Sequence, residues 1–159
     1  MSNPLLDTSS LPRFHELDPD QVVPALRELI AENRRKLDAL LNEQREPAFE
    51  ALVPAIEEME HRLARVWSPV SHLNGVLESA EWREAYNAAL PLLTEYGTEL
   101  SQDSRLQRAY AAVRQGLDSG ASDSQLSVLD QALRDFHLAG VDLPDDAKTR
   151  FKEIMQKLA

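Results

Sequence analysis

Three features of this 159-residue sequence predict an all-α fold: about seven helices in a Pro-bent antiparallel bundle with an extended N-terminal arm. Apolar residues return at steps of three and four along most of the chain, the period of one helix face. Glycine is scarce, at 5 residues, which argues against a β-sandwich with many tight turns. Helix-start patterns precede the periodic stretches, Asp18-Pro19-Asp20-Gln21 and Ser122-Asp123-Ser124-Gln125 being the clearest.

Composition bounds the function. With 43% hydrophobic and 28% charged residues the chain has the apolar content for one globular core. The 17 Lys and Arg against 27 Asp and Glu leave a net charge of −10, which disfavours attraction to nucleic-acid phosphates. The absence of Cys excludes disulfides, thiolate nucleophiles and cysteine-ligated metals. The opening Met1-Ser2-Asn3-Pro4-Leu5-Leu6-Asp7 lacks the pattern of a signal or transit peptide, and no apolar run approaches the ~20 residues of a membrane span. A cytoplasmic protein with no membrane partner is expected.

Residues 1–17, with Pro4, Ser9-Ser10 and Pro12, read as an arm packed on the core through Leu5, Leu6, Leu11 and Phe14. Residues 18–159 read as a helical domain. At its start Asp18 can accept from free N–H groups, Pro19 suits a first helical position and Gln21 completes a capping box, although Pro24 can also mark the first turn. Leu26, Leu29, Ile30, Asn33, Leu37, Leu40 and Leu41 then form one face of a helix ending near Gln44. A second helix follows over 49–67, bent by Pro54, with Phe49, Leu52, Val53, Ile56, Met59, Leu63, Val66 and Trp67 as its stripe. Ser68-Pro69 reads as a stop and restart, Ser68 capping a short helix through about Leu77.

Ser79 can cap a helix over 80–101 with Trp82, Tyr86, Ala89, Leu90, Leu93, Tyr96 and Leu100 on one side and a kink at Pro91. Asp103 to Leu117 carries Leu106, Tyr110 and Val113, and Ser119-Gly120-Ala121 makes the next loop. The capping box at Ser122 opens a helix with Leu126, Leu129, Leu133 and Phe136, closed by Gly140. Pro144, with Asp145 and Asp146 near the positive end of the helix dipole, opens a last helix with Phe151, Ile154, Met155 and Leu158. That stripe is still in phase at Ala159 with no closing Gly, Asn or Pro, so the domain is expected to be truncated within this helix.

No constellation of reacting groups emerges. His15, His61, His72 and His137 contain no pair spaced three or four apart, and His15-Glu16 fails as a His-Glu-x-x-His start because Asp18-Pro19 follow. The acid pairs Glu57-Glu58, Asp145-Asp146 and Glu43/Glu46 are read as solvated faces, and the serines lack a Gly-x-Ser-x-Gly elbow. Arg34-Arg35-Lys36 can be read as a phosphate site, but Glu28, Glu32 and Asp38 surround it at helical spacing. Trp67, Trp82, Tyr86, Tyr96 and Tyr110 can line a peptide groove or pack in the core, core packing being the reading preferred here. Catalytic, cofactor-binding and metal residues are therefore all expected to be none.

Several ordered stretches carry a resemblance: Asn3-Pro4-Leu5-Leu6, Leu11-Pro12-Arg13-Phe14, Val22-Val23-Pro24-Ala25, and above all Ser68-Pro69-Val70-Ser71-His72-Leu73-Asn74. Arg83-Glu84-Ala85-Tyr86, Leu90-Pro91-Leu92-Leu93-Thr94-Glu95-Tyr96, Ala132-Leu133-Arg134-Asp135-Phe136 and Gly140-Val141-Asp142-Leu143-Pro144 continue it. Over essentially its whole length the chain resembles the N-terminal region of bacterial oligopeptidases of the thimet oligopeptidase family, which are zinc metallopeptidases. The segments 42–48 and 119–125 depart from that pattern. The resemblance implies an almost wholly helical fold, several times longer than this chain, with a deep channel between two halves. It also implies one zinc in the full-length enzyme, on a downstream His-Glu-x-x-His helix and a later Glu that this sequence lacks.

Two functions follow as expectations. The first is a noncatalytic N-terminal domain forming part of the channel wall of a peptidase for short peptides, partnered by the rest of that chain. Its last helix is then expected to expose an apolar face that promotes self-association of the fragment. The alternative is a stand-alone helical adaptor or peptide-binding module without hydrolytic activity.

Overall fold

The computed structural model describes residues 3–7, 11–43, 48–117 and 121–158. Among the described residues all regular structure is helical. Three 3-10 turns, Pro4–Leu6, Phe14–Glu16 and Pro19–Gln21, precede α1 (Val22–Glu43), α2 (Phe49–Leu77), α3 (Ala80–Ser101), α4 (Ser104–Gly116), α5 (Asp123–Leu138) and α6 (Asp145–Leu158). The packing divides the chain into two compact units, Met1–Lys36 with Ile56–Leu93, and Leu37–Ala55 with Thr94–Ala159.

In the first unit the capping box forms as its residue types require. The Asp18 carboxylate accepts from the Asp20 N–H at 3.0 Å, and Gln21 Oε1 accepts from the Asp18 N–H at 2.9 Å. The box closes the 3-10 turn Pro19–Gln21, which leads directly into α1, so Pro24 falls in the first turn of the α-helix, where no N–H partner is needed. Val22, Ala25, Leu26, Leu29 and Ile30 of α1 are buried, as are Ile56, Met59, Val66, Val70 and Leu73 of α2 and Trp82, Ala85 and Ala89 of α3. Leu5 is buried and Asn3 Nδ2 donates to the Gln21 carbonyl at 2.8 Å. Leu11, expected as a core anchor, instead stands 86% exposed, and Phe14 is also exposed. The Ser9-Ser10 part of the arm lies outside the described residues.

The expected break at Ser68-Pro69 does not occur: α2 runs unbroken through Phe49–Leu77, giving six α-helices among the described residues where about seven were expected. Pro69 removes the N–H that would pair with the Arg65 carbonyl, at a cost of about 3 kcal/mol. Val66, Pro69, Val70 and Leu73 lie on one buried face, and each large apolar side chain so buried returns about 1.5–3 kcal/mol, so packing carries the helix through. Pro54 and Pro91 likewise lie inside α2 and α3. Helix α2 ends at Glu78, a non-glycine residue at φ 48°, and Ser79 Oγ accepts from the Trp82 N–H at 3.2 Å to start α3.

The second unit is built on caps as well. Asp103 accepts from the N–H groups of Arg105 and Leu106 at 2.8 and 3.4 Å to open α4. Ser122 and Gln125 form the expected box, with Gln125 N–H to Ser122 Oγ at 3.2 Å and Ser122 N–H to Gln125 Oε1 at 3.0 Å. Tyr110 of α4 meets Phe136 of α5 edge to face at 5.6 Å, beside buried Leu106, Val113 and Leu129. Gly140 adopts φ 82° and donates to the His137 carbonyl while Val141 donates to that of Phe136, the pairing of a Schellman close. Gln102 Nε2 donates to the Ala139 carbonyl at 2.9 Å, tying the same corner to the residue after α3. The Pro144 carbonyl accepts from Lys148 N–H, Asp145 and Asp146 occupy the first turn of α6, and Lys152 Nζ meets Glu95 at 2.6 Å. No residue of α6 is buried. The Ser119-Gly120 part of the α4–α5 loop lies outside the described residues.

Asn33 is fully buried on α1; its Nδ2 donates to the Met59 carbonyl at 3.4 Å, while Oδ1 has no partner. An unpaired buried acceptor costs about 1–3 kcal/mol. Asn33→Leu is expected to raise stability by about 1 kcal/mol and Asn33→Asp to lower it by about 3 kcal/mol or more, measured by urea unfolding at neutral pH. The two left-handed positions predict opposite signs. Glu78→Gly relieves strain and gains about 0.5–1 kcal/mol. Gly140→Ala loses about 1–2 kcal/mol, because its Cβ would also stand 2.6 Å from Leu143 Cδ1. Thermal melts of both variants check this.

Candidate functional site

The Ser68-Pro69-Val70-Ser71-His72-Leu73-Asn74 stretch lies wholly on α2, and its helical spacing sorts the residues. Pro69, Val70 and Leu73 turn inward, while Ser68, Ser71 and His72 face outward. The Phe14 ring lies 5.6 Å from His72 at a tilted angle. Leu11, Pro12, Phe14, Arg65, Ser68, Pro69 and His72 together border an open, largely apolar groove of about 400 Å³. It contains no acid–base pair; it offers a shaped apolar wall with a histidine at its edge.

Beside this groove, α1 and α2 are clamped by charge. Arg62 donates twice to Glu32, at 2.7 and 3.1 Å, and Lys36 Nζ reaches the same carboxylate at 2.8 Å. The fork geometry and the second cation hold the Glu32 carboxyl at about 2, against an ordinary 4.5, the Arg62 hydrogen bonds being the largest cause. Further along, Trp67 of α2 stacks on Tyr86 of α3 with ring centres 4.8 Å apart and planes at 27°.

The remaining sequence candidates are dispersed. His15 is exposed, 3.5 Å from Glu16, and His61 is exposed on α2. His137 Nδ1 stands 2.8 Å from Asp142 Oδ2 across the α5 close, both side chains exposed. Among the described residues no three His, Asp or Glu side chains approach as metal ligands would. A zinc site of the tetrahedral kind needs at least three such donors, so the residues present do not fit that ion. Glu57-Glu58 and Asp145-Asp146 are exposed, while Glu46 and the Glu43 side chain lie outside the described residues. In Arg34-Arg35-Lys36, Lys36 is committed to Glu32. Asp38, expected to serve that cluster, instead binds Arg105 of α4 at 2.9 Å. Trp82, Tyr96 and Tyr110 are buried core residues, while Trp67 and Tyr86 are half-buried.

The ion pairs that sequence reading missed, Glu32–Arg62 and Asp38–Arg105, join residues 30 and 67 positions apart. Their only sequence signal was charge at the edge of an apolar stripe, which many other residues share. No helix among the described residues is long and apolar enough to cross a membrane.

Comparison with known proteins places this architecture. Residues 26–148 match the family described as Neurolysin/Thimet oligopeptidase, N-terminal domain. The chain is similar to oligopeptidase A of Haemophilus influenzae, 39% identical over 162 residues that cover 100% of this chain and 23% of that protein. Similarity to oligopeptidase A of Salmonella typhimurium is 40% over 161 residues, covering 100% of this chain and 24% of that protein. A probable cytosolic oligopeptidase A of Arabidopsis thaliana is 29% identical over 158 residues, 99% of this chain and 22% of that protein. The chain thus spans about a quarter of the length of the relatives it matches.

The Glu32 clamp predicts a pH dependence. Because the folded carboxyl is depressed to about 2 from 4.5, its contribution is present above the unfolded value and is lost as pH falls from about 5 to 2. Arg62→Met is expected to cost about 1 kcal/mol at pH 7, discounted for partial solvent exposure, and progressively less towards pH 2. Urea titrations of the variant and the parent at several pH values check it; an unchanged gap at pH 2 contradicts it.

Proposed function

The chain belongs to the neurolysin/thimet oligopeptidase family, in its N-terminal domain, and from that membership we propose that it is the noncatalytic N-terminal helical domain of an oligopeptidase A-like zinc metallopeptidase. In this reading it forms part of the wall of the substrate channel. The observation that carries the proposal is the end-to-end match of all its residues to about a quarter of each bacterial oligopeptidase A.

The domain acts here by shape. A wall of packed helices narrows access, so that short flexible peptides enter and folded proteins do not. No residue of this chain serves as catalyst, cofactor ligand or metal ligand; the zinc and its ligands belong to the remainder of the peptidase, which is the partner of this domain. Short peptides are the substrate of the whole enzyme, and neither nucleic acid nor membrane is a partner. The surroundings are the cytoplasm, the setting expected from an N-terminal stretch without a signal or transit pattern. Residues 1–17 act as an arm on the helical domain 18–159, a division supported by the burial of Leu5 and the Asn3 bond to Gln21.

The test is capture of the native product from the source organism with an antibody against these residues. A product about four times the 17.9 kDa of this chain, with chelator-sensitive cleavage of short peptides, is expected. A product of 17.9 kDa without that activity overturns the reading in favour of a stand-alone adaptor. The purified 159-residue chain is expected to hydrolyse no short peptide with or without added zinc, and chelator-sensitive turnover by it contradicts the assignment of no catalytic residue.

A further inference from the structure

Of Asn3, Asn33, Asn42, Asn74 and Asn87, Asn74 alone is followed by glycine. An asparagine carboxamide is open to attack by the backbone nitrogen of the next residue, and a glycine there presents no Cβ to obstruct the approach. Asn74 is half-buried and Gly75 exposed. Beyond its chain neighbours and its own helix backbone, nothing lies within 4 Å of the place a Cβ on Gly75 would take. Among the described residues no hydrogen bond fixes the Asn74 carboxamide.

Helical structure is what restrains this attack. In a regular α-helix the Gly75 N–H is engaged with the Ser71 carbonyl one turn back, and the backbone holds the carboxamide carbon off that nitrogen. Here the turn is the last of α2 and is weakly held. Val76 and Leu77 are 58% and 54% exposed, so packing adds little to it. Gly75 itself is a poor helix former. The next residue, Glu78, stands at φ 48°, a left-handed conformation that a glycine closes without strain. Residues 75–78 are all exposed, so unwinding them withdraws nothing from the core and lets Glu78 relax.

We propose that Asn74-Gly75 is a site of spontaneous covalent modification, at which the asparagine deamidates through transient unwinding of the last turn of α2. The Gly75 nitrogen gives its proton to solvent base and forms a bond to Asn74 Cγ. The bond from Cγ to the carboxamide nitrogen then breaks, and that nitrogen takes a proton from water and leaves as ammonia. The product is a five-membered succinimide. Water opens the ring at Cγ to give aspartate, or at the backbone carbonyl carbon to give isoaspartate, and returns the proton to the Gly75 nitrogen. The net change consumes one water and releases one ammonia, with no oxidation or reduction. Either product sets a carboxylate at the negative end of the helix dipole, and isoaspartate adds a backbone methylene that breaks the helical repeat. The reaction thus keeps the unwound end open, at the corner where Ser79 starts α3. The inference stands apart from the peptidase reading, since it concerns only the chemistry of this turn.

The test is incubation of the 159-residue chain in mildly alkaline buffer, folded and in parallel unfolded in urea, with tryptic peptide 66–83 followed by mass spectrometry. In the folded chain Asn74 is expected to convert to a mixture of aspartate and isoaspartate, faster as pH rises, while Asn33 and Asn87 inside α1 and α3 stay intact. Gly75→Ala is expected to slow conversion at least about tenfold, folded or unfolded. Glu78→Gly is expected to slow it about two- to fivefold in the folded chain and not at all in urea, because it steadies the turn without touching the reacting pair. Circular dichroism verifies that the helices of both variants remain. A folded chain whose Asn74 stays intact after its urea-unfolded counterpart has converted overturns the proposal. Conversion of the folded chain that Glu78→Gly leaves unchanged overturns the unwinding route.

Discussion

The seam between α1 and α2 is the constraint on which the first unit rests. Leu26, Leu29 and Ile30 on one side and Ile56, Met59 and Val66 on the other are withdrawn from water, each worth about 1.5–3 kcal/mol of transfer free energy. That sum is large enough to tolerate one orphaned acceptor on Asn33 inside it. At its rim the Glu32–Arg62 fork lies where solvent is only partly excluded, so it selects the register of the two helices more than it adds to their stability. The α3 face with Trp82, Ala85 and Ala89 and the Phe14 turn belong to the same unit as this seam.

The prolines show how far tertiary packing overrides local preference. Read locally, Ser68-Pro69 is a stop, because proline lacks the donor that the preceding turn needs. The reading fails because it weighs one missing hydrogen bond and not the burial of Pro69 together with Val66, Val70 and Leu73 around it. The caps were legible for the opposite reason. Asp18, Ser122 and Gly140 act within four residues of themselves, so the sequence alone contains both partners of each contact. Glu32–Arg62 and Asp38–Arg105 were illegible because any of many charges at helical spacing could have met, and only the packed helices choose. Leu11 went astray in the same way: its apolar type was plain, but whether a core residue waited for it was not.

The surface chemistry follows a similar division of labour. Among the described residues the histidines stand apart and the acids do not converge on one point, while exposed apolar groups gather in the groove beside His72 and along α6. The ordered Ser68–Asn74 stretch forms part of helix α2, with Pro69, Val70 and Leu73 buried and Ser68, Ser71 and His72 exposed.

The stacked Trp67 and Tyr86 rings give this molecule an optical property. Two chromophores 4.8 Å apart on different helices couple their excited states: light absorbed by the tyrosine passes to the indole, and their transitions mix to give a paired signal in ultraviolet circular dichroism. A change in that spacing alters the coupling of the two transitions and with it the ellipticity, so the packing of that seam carries its own spectroscopic gauge.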